Sequence, residues 1–187
     1  MSKDSGFSIV ELLVVIAVMA VMSAIAIPNF LSWIPEKRLA SACDELYSNL
    51  NYAKMGAIKN NNSWAIVFSP GAGTYQIQRD YGGANTPDKT ITLSDYGSGV
   101  RYGLGNATQS VSNGSLTNDT TSNAIADGVT YASPTNIVVF TSRGLLDPNN
   151  LGYVYLTNDA LSAMAAGTGS IAGVVAQRVW VAGSGWQ

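Results

Sequence analysis

The chain has 187 residues, 47% of them hydrophobic and only 12% charged, with a formal net charge of −2. That length suits one domain, or one domain plus an anchor. There is no basic excess to drive phosphate binding. Histidine is absent, which removes Ser-His-Asp and Cys-His catalysis and the commonest zinc ligand. The single cysteine, Cys43, cannot close an intrachain disulfide and reads as a buried structural residue.

The apolar excess is concentrated at the N-terminus. Sixteen residues from Leu12 to Ile27 carry no charge, and Glu11 is the one charged residue between Phe7 and Ile34. At ~1.5 Å per helical residue, 7–34 is long enough to cross a ~30 Å hydrocarbon layer. Three readings compete. One is a secretory signal, with Ala24-Ile25-Ala26 matching the A-x-A cleavage pattern. Another is an ordinary single-pass anchor. The third is a helix that packs against its neighbours in a filament. A carboxylate at the centre of a bilayer costs roughly 2.5 kcal/mol or more, and such residues are normally paired and functional. Only the third reading gives Glu11 a partner. If the chain is cut between Gly6 and Phe7, Glu11 becomes the fifth residue of the product. Its carboxylate can then meet the new Phe7 ammonium of a neighbour, which neutralises two charges and fixes the register between helices.

The run Gly6-Phe7-Ser8-Ile9-Val10-Glu11-Leu12-Leu13 resembles the processing site of type IV pilins and type II secretion pseudopilins, G-F-[ST]-L-[IVL]-E. The resemblance implies a leader over 1–6 and a prepilin peptidase that cuts after Gly6. It also implies N-methylation of Phe7 and an assembly role for Glu11. Pro28 matches a family kink position, and Pro28 and Pro35 together predict a bend, because each removes a backbone donor. The leader offers only Lys3 against Asp4, while Lys37 and Arg38 follow the apolar run. The positive-inside rule therefore does not set the orientation. The resemblance implies a single-pass bacterial inner-membrane protein with its C-terminal domain in the periplasm, and a surface filament as a possible final location.

Beyond the prolines the pattern changes. Leu39, Cys43, Leu46, Leu50, Ala53 and Ala57 recur every three or four residues, as on one face of a helix. Glu36, Lys37, Asp44, Glu45, Ser48, Asn49 and Lys59 fill much of the remainder. The spacing predicts an amphipathic helix over 35–62 that covers a soluble domain. From Ser63 the period shifts towards two. Strands are expected at 64–68, 74–79, 90–94, 100–104, 128–132, 136–141, 152–157 and 174–182. Ser69-Pro70-Gly71-Ala72-Gly73 reads as a hairpin turn. The stretch 105–128 reads as a long polar loop, and 161–170 as a small-residue connector. The expected organisation is a leader (1–6), a membrane and filament-core helix (7–34), an amphipathic helix (35–62) and a β-rich domain (63–187). The fold class is α+β, with a long N-terminal helix packed on antiparallel sheet.

The pieces WAIVFSPGAGTYQI, KTITLS, NIVVFTSRGLL, GYVYLTN and QRVWVAGSGWQ make the domain similar to the GspH/FimT group of pilin-like proteins. Phe140-Thr141-Ser142-Arg143-Gly144 and Arg178-Val179-Trp180-Val181 stand where that group has a Phe-x-x-x-Gly turn and a final Arg-led strand. Some members bind DNA through a basic Gly-Arg-x-Arg tail. Here the tail is Gly183-Ser184-Gly185-Trp186-Gln187 and has no arginine, so Trp186 stands without adjacent cations and nucleic acid is not the expected partner.

Asp147-Pro148-Asn149-Asn150 reads as a turn rather than a calcium loop. Asn61, Asn106, Asn113 and Asn118 each open an N-x-[ST] triplet, as chance allows in so Asn- and Ser-rich a chain. No carboxylate pair suggests acid/base work. The expected function is a non-enzymatic structural subunit, without cofactor or metal, of a type II secretion pseudopilus or a type IV pilus. Its expected partners are other pilin-like subunits, the prepilin peptidase and an inner-membrane assembly platform. A DNA- or ligand-binding receptor, or a secreted protein with a cleaved signal, are the alternatives.

Overall fold

The computed structural model describes residues 7–97, 99–111, 127–131, 134–146 and 150–187, and only the backbone of 26–32. The leader with Gly6, most of the 105–128 loop, residue 132 of an expected strand, Asn113, Asn118 and 147–149 lie outside the described residues. The fold is α+β: helix α1 (Ile9–Lys59) followed, among the described residues, by nine strands. The chain divides into two compact units, Met1–Ile34 and Pro35–Gln187.

In the first unit, Ser8 stands just ahead of α1 and caps it. The Val10 N–H donates to Ser8 Oγ at 3.3 Å, and the N–H groups of Glu11 and Leu12 donate to the Ser8 carbonyl. The large apolar side chains from Phe7 to Ile25 are exposed. Among the described residues no helix is long and apolar enough to cross a membrane. The stretch with described side chains ends at Ile25, and Ile9–Ile25 rises only ~25 Å.

In the second unit, the expected stripe is the core. Leu39, Cys43, Leu46, Leu50, Ala53 and Ala57 are buried, and Ala42 joins them. Asn49, expected on the polar face, is also buried. Its amide donates to the Tyr75 hydroxyl at 2.9 Å, which satisfies both groups in the interior.

Two antiparallel sheets share this stripe. The first has the order β3-β2-β1-β5, from β1 (Trp64–Ser69), β2 (Thr74–Arg79), β3 (Thr86–Thr92) and β5 (Ile137–Phe140). Ile66 at its centre pairs with Ile77 on one side and Val138 on the other. The second has the order β4-β6-β7-β8-β9, from β4 (Arg101–Tyr102), β6 (Gly152–Thr157), β7 (Ala163–Thr168), β8 (Val175–Val181) and β9 (Gly185–Trp186). Tyr131 ties the sheets together. Its ring stacks on Phe68 of β1 at 5.8 Å, and its hydroxyl meets Thr168 Oγ1 of β7 at 3.0 Å.

Three expectations need correction. The connector expected over 161–170 contains β7, whose six residues are all buried. Small side chains there mark close approach, not a loop. A Cβ on Gly167 would lie 2.3 Å from the Gly152 carbonyl oxygen and 2.5 Å from Tyr153 Cα. Of the strand expected over 128–132, the described residues form a single bridge, Val129 to Val154. β3 begins at Thr86, earlier than expected, and contains Pro87. Proline is tolerated there because β3 is an edge strand with a register shift opposite Ile77/Gln78.

Gly167→Ala is therefore expected to destabilise the detergent-solubilised full chain by about 1–3 kcal/mol or more in denaturant unfolding. Gly71→Ala, where an added Cβ meets nothing within 4 Å, serves as the neutral control.

Candidate functional site: the N-terminal motif and the domain surface

The residues expected to carry function fall at the start of α1. Phe7 precedes the helix and is exposed. Glu11 lies in the first turn, where a negative charge is favoured by the helix dipole. Its carboxylate has no hydrogen-bond or ion-pair partner among the described residues. Ser8 and Glu11 have the S-x-x-E spacing of a capping box, and this spacing could have identified Ser8 as the cap from sequence alone. Pro28 and Pro35 both lie within α1. Gly6 lies outside the described residues. The motif thus brings together an exposed Phe7, a capped helix start and a carboxylate with no partner among the described residues, at the head of an exposed apolar face. Such a face marks a membrane or protein contact.

A cluster of titratable groups is centred on Glu45 of α1. Glu45 accepts hydrogen bonds from the Tyr96 hydroxyl and from Lys89 Nζ, the latter at 2.7 Å. The Lys89 bond first, and the Tyr96 bond second, hold the Glu45 carboxyl below its ordinary range. Burial, with the bond to Glu45 adding, pushes the Tyr96 hydroxyl up. This arrangement fixes Glu45 as a charged acceptor that clamps α1 to β3 and to the turn after it. A general acid/base needs the opposite, a group poised to exchange its proton near neutral pH. Burial likewise pushes the Cys43 thiol up to about 12, which keeps it protonated and inert. Among the described residues, no group of three or more acidic or cysteine side chains is placed to hold a metal.

The C-terminal tryptophan is engaged in packing. Trp186 Nε1 donates to the Gln109 carbonyl at 2.7 Å, and its ring stands edge-on to Tyr155 and Trp180 at 5.4 and 5.5 Å. The Trp180 contact closes the β8–β9 hairpin, while the Tyr155 contact and the bond to Gln109 dock it on β6 and on the segment after β4.

A capped helix with a lone carboxylate and an apolar face, followed by an antiparallel domain built on the same helix, defines a pilin-like protein. Residues 1–27 match the prokaryotic N-terminal methylation motif, and residues 42–185 match the type II transport protein GspH. The chain belongs to the GspH family. It is a pilin-like subunit, in a family of structural proteins that assemble with other pilin subunits. The chain is also similar to two crystal structures of the Pseudomonas aeruginosa type IV minor pilin FimU. In the P21 form the identity is 14%, with 75% of this chain and 88% of that chain covered, at a TM-score of 0.47. In the P65 form the identity is 15%, with 74% and 91% covered, at the same score.

The Glu45 clamp sets a pH dependence. A carboxyl held below its ordinary value contributes stability above the unfolded value of about 4.5, and that contribution is lost as pH falls through the lower folded value. The full chain should therefore lose stability on acidification below about pH 4.5, and Glu45→Gln should flatten that part of the profile, read by thermal melts between pH 7 and 3.

Proposed function

We propose that this subunit is made as a precursor, cut between Gly6 and Phe7 by a prepilin peptidase, and N-methylated on Phe7. The mature chain waits in the bacterial inner membrane as a single-pass protein with its β-domain in the periplasm. An assembly platform then lifts it into a helical array. During that step Glu11 of one subunit meets the Phe7 ammonium of its neighbour. Pro28 and Pro35 relax the helix where it passes from apolar surroundings to the domain.

One observation carries the reading. Glu11 is the single charge between Phe7 and Ile34, and it stands at a helix start with no partner among the described residues. Buried alone, it would cost several kcal/mol in apolar surroundings. Paired with a free terminus four residues ahead of it on a neighbouring helix, it selects both the partner and the axial register. The match over 1–27 supports the same assignment of Gly6 and Phe7.

The test is mass spectrometry of filaments sheared from the cell surface, compared with the envelope fraction, for wild type and Glu11→Ala. The expected result is a Phe7-initiated, methylated peptide in both strains. Glu11→Ala should remain in the envelope and be depleted at least tenfold from assembled material. Glu11→Ala incorporated at the wild-type level would defeat the pairing, and a terminus just after Ala26 would establish a cleaved secretory signal instead.

A further inference from the structure

The domain carries a charge feature at its Pro35 end that the helix pairing does not use. Cut after Gly6, the chain keeps no lysine or arginine ahead of its apolar segment, and Lys37 and Arg38 follow directly behind it. For a domain on the outer side this is the reverse of the usual loop-charge bias, so these cations do not serve orientation. Arg38 stands four residues past Ile34 on the same helix, ~6 Å further along its axis. The headgroup layer on each side of a ~30 Å hydrocarbon core is ~5–7 Å deep. Arg38 therefore falls at the depth of the lipid phosphates when 7–34 spans the core.

Local packing holds the Arg38 side chain in place. Gly97 makes room for it: an added Cβ there would fall 2.7 Å from Arg38 Cδ and 3.0 Å from Nη1. Arg38 is exposed, and its guanidinium has no ion pair or hydrogen bond among the described residues. Beside it is a cleft of about 50 Å³, lined with Pro35, Gly99, Val100, Asn158 and Asp159. A space of this size admits oxygen atoms of an anion, not a whole headgroup. The carboxylate in the lining is already neutralised. Arg101 Nη1 donates to Asp159 Oδ1 at 2.7 Å and to the Gly99 carbonyl at 3.2 Å. Asn158 in the wall is fully buried, and the atom it leaves without a partner is a donor, Nδ2. Two guanidiniums against one carboxylate leave one positive charge open, on a side chain that is already placed.

We propose that Arg38, at the mouth of this cleft, binds the phosphate of an anionic phospholipid headgroup and holds the waiting subunit at the membrane surface until it is assembled. The site rests on the membrane reading above. The Arg38 guanidinium is a planar fork that can meet two phosphate oxygens at once, and Arg101 keeps Asp159 from opposing the anion. Because the site lies on the segment that leaves the membrane, the contact is made only while the subunit waits there and is given up when it is lifted out.

Lipid retention by the full chain tests the site. The chain is inserted into vesicles of equal parts phosphatidylcholine and phosphatidylglycerol, washed with carbonate and dissolved in mild detergent. Its bound lipids are then counted by native mass spectrometry. Wild type should retain phosphatidylglycerol over phosphatidylcholine. Arg38→Gln should lower that preference about fivefold, the equivalent of ~1 kcal/mol for one cation at a lipid surface. Arg38→Lys, which keeps the charge and loses the fork, should lower it less. Lys59→Gln, ~31 Å along the helix, should leave it unchanged. Thermal melts of the three variants matching wild type tie the differences to the site and not to the fold. Equal retention of both lipids by wild type overturns the proposal, as does an unchanged preference in Arg38→Gln. Displacement of the lipid by excess inorganic phosphate would assign the site to a soluble anion and overturn the lipid contact. Wild-type chain stripped from the vesicles by carbonate would instead defeat the membrane reading, and this site with it.

Discussion

One buried stripe on α1 organises the domain. Leu39, Cys43, Leu46, Leu50, Ala53 and Ala57 present a continuous apolar surface that both sheets share, and the largest buried side chains of each sheet close over it. At roughly 25 cal/mol per Å² of apolar surface removed from water, this burial is the main favourable term available to a domain without disulfides. The polar ties act around it. Asn49 meets Tyr75 inside, Glu45 clamps Lys89 and Tyr96 at the rim, and Lys54 bonds the Ala172 and Gly173 carbonyls on the far side. None of these would hold the sheets without the stripe, because each places its partners only when the helix is already docked.

The same helix serves two environments, and the sequence separates them sharply. Before Pro35 the side chains are apolar all round, with one carboxylate. After Pro35 they are apolar on one face only. A helix that is apolar all round has no preferred side towards its own domain and suits a lipid or a ring of similar helices. A helix with a single apolar stripe commits that stripe to one partner. The chain therefore encodes both an inward attachment to its domain and an outward attachment to its surroundings in consecutive segments of one element.

Much of this was legible in advance, for identifiable reasons. The stripe was readable because its spacing is strictly helical, and β2 because Tyr75 and Ile77 alternate with glutamines. β7 was missed because alanine and glycine carry almost no hydrophobic signal. Its residues are small so that the strand can pass against Gly152 and Tyr153, and that requirement exists only after folding. Asn49 was misplaced because its partner, the Tyr75 hydroxyl, lies 26 residues away. The motif at Gly6, Phe7 and Glu11 stood out because its signal is local: a Gly-Phe step, a lone charge and an apolar run stand in order. The close packing of Trp64 on Gly56 could not be anticipated, since it forms only when β1 folds back on α1.

The order of the strands along the chain has a further consequence. The stripe is synthesised early, yet part of its cover, in β7 and β8, comes from the last quarter of the sequence. Asp44 of α1 and Gln177 of β8 are joined at 2.7 Å across 133 residues. Contacts of such separation form slowly, because loop closure must precede any gain from packing. Until β8 emerges, the part of the Leu39–Ala57 surface that the second sheet covers stands open, and a chain interrupted before Val175 cannot complete that sheet. Closure of the apolar surface is therefore tied to the end of the chain, since the second sheet is complete only when β8 has joined β7.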